Sequence, residues 1–116
     1  EWKDAQKIKN KCTEVLTAVD LLSKATKLPH QLSGGEQQRL SIARALVNDA
    51  ELILADEHTG NLDPETSMDI VKLLRSLSSV GKAVIMASHD FNVIQKFPAR
   101  MLHCIDGKVI EKSVLV

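Results

Sequence analysis

The sequence predicts an α/β fold built on a parallel strand–helix–strand core, and three observations lead there. Residues 51–56, "ELILAD", and 83–88, "AVIMAS", are short continuous apolar runs, as in strands buried on both faces. Between them, Val71, Leu74 and Leu77 recur at the spacing of one buried helical stripe. Strand, helix, strand is a βαβ unit, whose strands run parallel with a right-handed crossover. Near the end of the chain, "MLHCIDGKVIEKS" places Asp106-Gly107 between two strand-like runs, a strong hairpin signal.

The elements follow in order. Residues 4–22 carry Ala5, Ile8, Cys12, Val15, Leu16, Val19 and Leu22 at amphipathic helical spacing, which predicts a first helix. "SKATKLPHQL" breaks it, with Pro29 as the clearest stop. A second helix is expected from Gly34 to Val47, ending near "NDA". After the first strand, "EHTGNLDPE" reads as a loop closing on a helix, with Asp63 as N-cap and Pro64 at the first helical position. "SSVGK" ends that helix, and a short helix from Asp90 to Phe97 stops before Pro98.

Composition excludes several classes of function. The 116 residues suffice for one hydrophobic core, and a hydrophobic content of 44% predicts a folded chain. Fifteen basic residues balance fifteen acidic ones without a basic stretch, so there is no electrostatic footprint for nucleic acid. With one Trp, two Phe and no Tyr, a stacking platform for bases is hard to assemble. No apolar run is long enough to cross a bilayer, and "EWKDAQKIKN" is not a signal peptide. Cys12 and Cys104 stand alone, neither a disulfide framework nor a C-x-x-C metal site, which fits a reducing, cytosolic setting.

Two regions carry candidate chemistry. In "QLSGGEQQRL", Ser33 and Glu36 match a capping box, in which each side chain accepts from the other residue's backbone N–H. Capping leaves Gly34 and Gly35 unexplained, because glycine in a first helical turn lowers stability. Close approach of something to the backbone would explain them, and an anion suits a helix N-terminus. Both readings stand at this point. The second region is the carboxyl edge of the two predicted strands, where open α/β sheets gather ligands. One strand ends in Asp56-Glu57 and the other in Ser88-His89-Asp90. Phosphoryl transfer needs such a set: one carboxylate for Mg²⁺, a second to orient or deprotonate water, and a donor for the terminal phosphate.

At these residues the sequence resembles the nucleotide-binding domains of ATP-binding cassette (ABC) transporters. "LSGGEQQR" (32–39) is similar to the family signature, and "LILADE" (52–57) to the Walker B strand with its catalytic glutamate. "GNLD" (60–63) resembles the D-loop, and "ASHD" (87–90) the switch histidine. The motifs stand in the family's order, and "TGNLD" is similar in wording to the lipoprotein-release and macrolide-export branch. The resemblance implies a P-loop NTPase-like α/β fold. Residues 1–48 would close the helical subdomain with the signature, and residues 49–116 would form the C-terminal part of the ATPase core.

It also implies roles. Asp56 would hold Mg²⁺, Glu57 would position the attacking water, and His89 would contact the γ-phosphate. Ser33, Gly34, Gly35 and Gln37 would contact the γ-phosphate of ATP bound to the other subunit of a head-to-tail dimer. Asn61 and Asp63 would lie along the dimer seam. The implied partners are a second nucleotide-binding subunit and transmembrane permease domains, which would hold the protein on the cytoplasmic face of the membrane. No nucleic acid is implied.

Two departures qualify this. The P-loop, G-x-x-x-x-G-K-[ST], is absent: Gly81-Lys82 and Gly107-Lys108 lack both the following Ser or Thr and the preceding Gly. The chain therefore resembles the C-terminal part of such a domain, and by itself is expected to be inactive. Position 58 is His where the family usually has proline, which frees φ and restores an N–H donor. No ligand partners at suitable spacing give His58 a metal role, and His30 and His103 read as structural. Two rivals remain. One is a chromosome-maintenance ABC ATPase, against which the short first helix argues because those proteins insert a long coiled coil before the signature. The other is a non-catalytic interaction module.

Overall fold

The computed structural model describes residues 4–56, 62–88 and 90–112, apart from the side chains of Phe91 and Ile94. Helix α1 spans Ala5–Ala18, capped by Asp4, whose carboxylate accepts from the backbone N–H groups of Gln6 and Lys7. It is shorter than the apolar spacing predicts. Asp20 adopts a left-handed φ of 59°, which stops the helix and re-aims the chain. Val19 and Leu21 are then buried to 1% and 2% exposure, whereas Leu22, expected on the buried face, is 47% exposed. At the other end of α1, Ala5, Ile8 and Cys12 are also exposed, so only its last turns reach the core.

Short 3₁₀ turns at Leu22–Lys24 and Pro29–Gln31 lead into helix α2, Gly34–Val47, at its expected limits. Lys11 of α1 forms an ion pair with Asp49, just past the end of α2. Strand β1 (Leu52–Ala55), helix α3 (Pro64–Ser79) and strand β2 (Ala83–Met86) form the parallel unit, with Leu52 beside Ala83 and Ala55 beside Met86. Helix α4 covers Phe91–Lys96. Strands β3 (Met101–Ile105) and β4 (Lys108–Lys112) make the antiparallel hairpin, turning through Asp106 and Gly107 at φ of 50° and 73°. Positive φ at both positions is what a two-residue turn between twisted strands requires.

The core joins all the early elements: Val15, Val19 and Leu21 meet Ile42, Ala43 and Leu46 of α2, Ile53 of β1, and Ile70, Leu74 and Leu77 of α3. The strands depart from expectation in one respect. Ile53 is 4% exposed, but Leu52, Leu54 and Ile85 on the opposite face are 48%, 72% and 57% exposed. Within the described residues, helices cover one face of this sheet and the other is bare. A continuous apolar run marks both faces as apolar; it does not supply the second cover.

Candidate functional site

The first part of the site is the start of α2. Ser33 is extended and caps the helix, its Oγ accepting from the Glu36 backbone N–H at 3.2 Å. Glu36 Oε1 accepts in return from the Ser33 N–H at 2.9 Å, completing the predicted box. That backbone hydrogen bond, with help from nearby Lys24, holds the Glu36 carboxyl below its ordinary range. A hydroxyl that accepts in a cap can still donate its own hydrogen outward. The amides of Gly34 and Gly35 fall in the first turn, where no intrahelical acceptor is within reach. Gln37 turns back, its side-chain amide donating to the carbonyls of Pro29 at 3.1 Å and Leu32 at 3.2 Å. In this geometry Gln37 secures the loop entering the signature.

The start of α3 is the second part. Asp63 caps it, one carboxylate oxygen accepting from the Thr66 N–H at 3.3 Å and the other from Thr66 Oγ1 at 2.5 Å. The hydroxyl bond is the main reason the Asp63 carboxyl sits below its ordinary range. The two helix starts touch. A Cβ on Gly34 would come within 2.9 Å of Leu62 Cδ2, and one on Gly35 within 2.5 Å of Thr66 Cγ2. The close approach that the glycine pair predicts is therefore made, inside this chain, by the residues around the α3 cap. Capping does not account for these glycines, and packing against the start of α3 accounts for them without an anion.

The third part is the carboxyl edge of the parallel strands. The Ala87 N–H donates to the Ala55 carbonyl at 2.8 Å, which sets Asp56 level with Ala87 and Ser88. Ser88 Oγ accepts from the Asp90 N–H at 3.1 Å, and Asp90 caps α4 by accepting from the Asn92 N–H at 2.9 Å. Asp56 and Ser88 open onto a cleft of about 450 Å³, walled by α2 through Gln38, Ser41 and Ile42 and by Leu62. Among the described residues no three metal-binding side chains cluster. Asp56 offers one carboxylate, which suits Mg²⁺, an ion commonly held by one or two carboxylates together with phosphate oxygens and water.

Of the sequence-predicted residues, Ser33, Gly34, Gly35, Gln37 and Asp63 lie together at the two helix starts, and Asp56 lies at the strand edge. Glu57, Asn61 and His89 fall outside the described residues, as does His58. Sequence reasoning missed Leu62 and Thr66. The D-x-x-T spacing of Asp63 and Thr66 was the available signal for the second, since it is the pattern of a side-chain cap.

Comparison with known proteins decides the family: residues 2–60 match the one described as ABC transporter. The chain belongs to the ABC transporter family. It is 45% identical over 103 residues to the cell division ATP-binding protein FtsE of Bacillus subtilis, covering 89% of this chain and 45% of that protein. It is 50% identical over 97 residues to the FtsE of Mycobacterium tuberculosis, covering 84% of this chain and 42% of that one. Among solved structures, a dimeric bacterial ABC transporter cassette matches with a TM-score of 0.77 and 38% identity, over 100% of this chain and 51% of that one. A dimeric post-hydrolysis cassette bound to ADP and Pi matches with the same TM-score at 36% identity, over 100% of this chain and 51% of its own. The chain spans about half the length of the curated relatives it matches. No helix among its described residues is long and apolar enough to cross a membrane.

Proposed function

We propose that this chain is the signature-to-switch part of an ABC ATPase subunit whose full-length form hydrolyses ATP to drive transmembrane transport. The observation that carries this is the strand register: it sets Asp56, the last Walker B residue before Glu57, level with Ala87-Ser88, directly ahead of His89. Asp56 would hold Mg²⁺, which when bound neutralises developing charge on the transferred phosphoryl group. Glu57 would orient and activate the attacking water, and His89 would donate to the γ-phosphate. Ser33 and the amides of Gly34 and Gly35 would meet the γ-phosphate of a nucleotide held by a second subunit, with Asn61 and Asp63 along the seam. Gln37, whose side-chain amide donates to Pro29 and Leu32, would brace the loop that presents them rather than touch the phosphate. Two dimeric cassettes among the structural matches, one of them bound to ADP and Pi, support a nucleotide-handling dimer. Residues 1–48 then belong to the helical subdomain and 49–116 to the ATPase core, with permease domains holding the subunit at the cytoplasmic face of the membrane.

Glu57→Gln in the full-length protein tests the chemistry. ATP binding should persist while turnover falls on the order of 10²-fold or more, since the amide is nearly isosteric but a far poorer base. Near-normal hydrolysis would remove Glu57 from this role. The names of the FtsE relatives favour a second reading of the biology, in which the parent's ATPase serves cell division. Depletion of the parent separates the two: filamentous, undivided cells support the division role, and loss of a transported solute supports transport.

A further inference from the structure

We infer that Thr66 is a positioning residue for the start of α2, and that its methyl group is what requires glycine at position 35. The inference deepens the proposed function, since it rests on α2 presenting its N-terminus to a partner's nucleotide. Gly35 is buried, whereas Gly34 beside it is exposed. A Cβ at 35 would lie 2.5 Å from Thr66 Cγ2, far inside the separation of about 3.5–4.0 Å at which carbon atoms attract. The next atom it would meet, Thr66 Cβ, is 4.0 Å away, an ordinary contact. The space denied to a side chain at 35 is thus filled by one methyl group.

That methyl is held in place. Thr66 donates its hydroxyl to Asp63 Oδ1 and its backbone N–H to Asp63 Oδ2, which fixes its rotamer and turns Cγ2 toward Gly35. The α3 cap therefore sets how closely the start of α2 can approach, and with it where the Gly34 and Gly35 amides stand relative to Asp63. Leu62 makes the parallel contact under Gly34, but through the far end of a flexible side chain. Thr66 is the stiffer stop, being β-branched and tied at two points.

The geometry defines a complementary exchange. Thr66→Ser keeps the hydroxyl bond to Asp63 and deletes only Cγ2, while Gly35→Ala adds one carbon where Cγ2 was. The full-length protein is made in a Glu57→Gln background as parent, Gly35→Ala, Thr66→Ser and the double variant. Two quantities are measured: the ATP concentration for half-maximal association, by sedimentation, and the apo melting temperature. Overpacking in Gly35→Ala should raise that ATP concentration about tenfold or more. The double variant should return to within about threefold of the parent and recover its melting temperature, as expected for sites in contact. A double variant no better than Gly35→Ala in either measurement would overturn the inference and leave ligand approach as the reason for the glycine. Recovery of melting temperature without recovery of association would show a packing contact that positions nothing. If the parent itself fails to associate with ATP, the proposed function fails. The melting cycle then still decides the contact, with additive losses overturning it.

Discussion

Gly34→Ala separates what the signature glycines do inside the chain from what they would do for a partner. An alanine Cβ at 34 meets Leu62 Cδ2 at 2.9 Å, so something must move. Leu62 is half-buried and is touched at its outermost methyl, so a rotamer adjustment costing about 1 kcal/mol relieves the contact. Alanine is favoured over glycine in a helix interior by about 1 kcal/mol, less in a first turn, which offsets part of that cost. The net change in stability should therefore stay within about 1 kcal/mol, a shift in Tm of no more than about 4 °C. The effect on ATP-driven association should be much larger if a phosphate must reach these amides, because the added methyl and the Leu62 side chain it displaces crowd the exposed start of the helix. A loss of about tenfold or more in the ATP dependence of association, measured by sedimentation of the full-length Glu57→Gln protein, is expected. A variant with unchanged Tm and unchanged association would refute the claim that a phosphate approaches Gly34. An aspartate at 35 is a poorer probe, since its Cβ would collide with Thr66 whatever its charge did.

Two further outcomes are expected. The Glu36 and Asp63 carboxyls are both held below their ordinary ranges by cap hydrogen bonds, so each contributes stability that is complete above the ordinary carboxylate range. That contribution should be lost as pH falls from there through their lower folded values, and Glu36→Gln or Asp63→Asn should flatten the acid limb of a stability–pH curve; an unchanged limb would count against these caps. The 116-residue chain alone should show no useful ATP affinity by calorimetry, because carboxylates without a G-x-x-x-x-G-K-[ST] cradle cannot position the nucleotide, and a micromolar Kd would defeat this.

Legibility followed the range of the interaction that fixes each element. Helices α2, α3 and α4 begin where Ser33, Asp63 with Pro64, and Asp90 say they should, because a cap is decided within four residues. The Asp106-Gly107 turn is equally local. The end of α1 was not legible, because Asp20 turns left-handed in the midst of an apolar spacing that would have carried the helix on to Leu22. Nor could the runs holding Leu54 and Ile85 report that helices would cover only one face of the sheet. At the site, sequence predicted correctly that something comes close to Gly34 and Gly35. Its identity was hidden, because Leu62 and Thr66 reach them only through the packing of α2 on α3.

That packing also binds together the separate parts of the proposed site. On the proposed reading helix α2 would offer its capped start, at Ser33 to Glu36, toward a partner's nucleotide, and within about two turns the same helix contributes Gln38, Ser41 and Ile42 to the wall of the cleft that holds Asp56. Leu62 belongs to both places, lying under Gly34 and lining the cleft. Such a helix cannot shift at its tip without disturbing its side, since Ile42, Ala43 and Leu46 are locked in the core against α1, β1 and α3. On the proposed reading, events at the Asp56 edge and contact with a partner's phosphate therefore act on one rigid element. The glycine pair is the place where that element is seated on α3. A change that lengthens the side chain at Gly35 should be felt first as a displaced helix start and only through it at the strand edge, whereas one at Gly34 should reach the cleft through a moved Leu62.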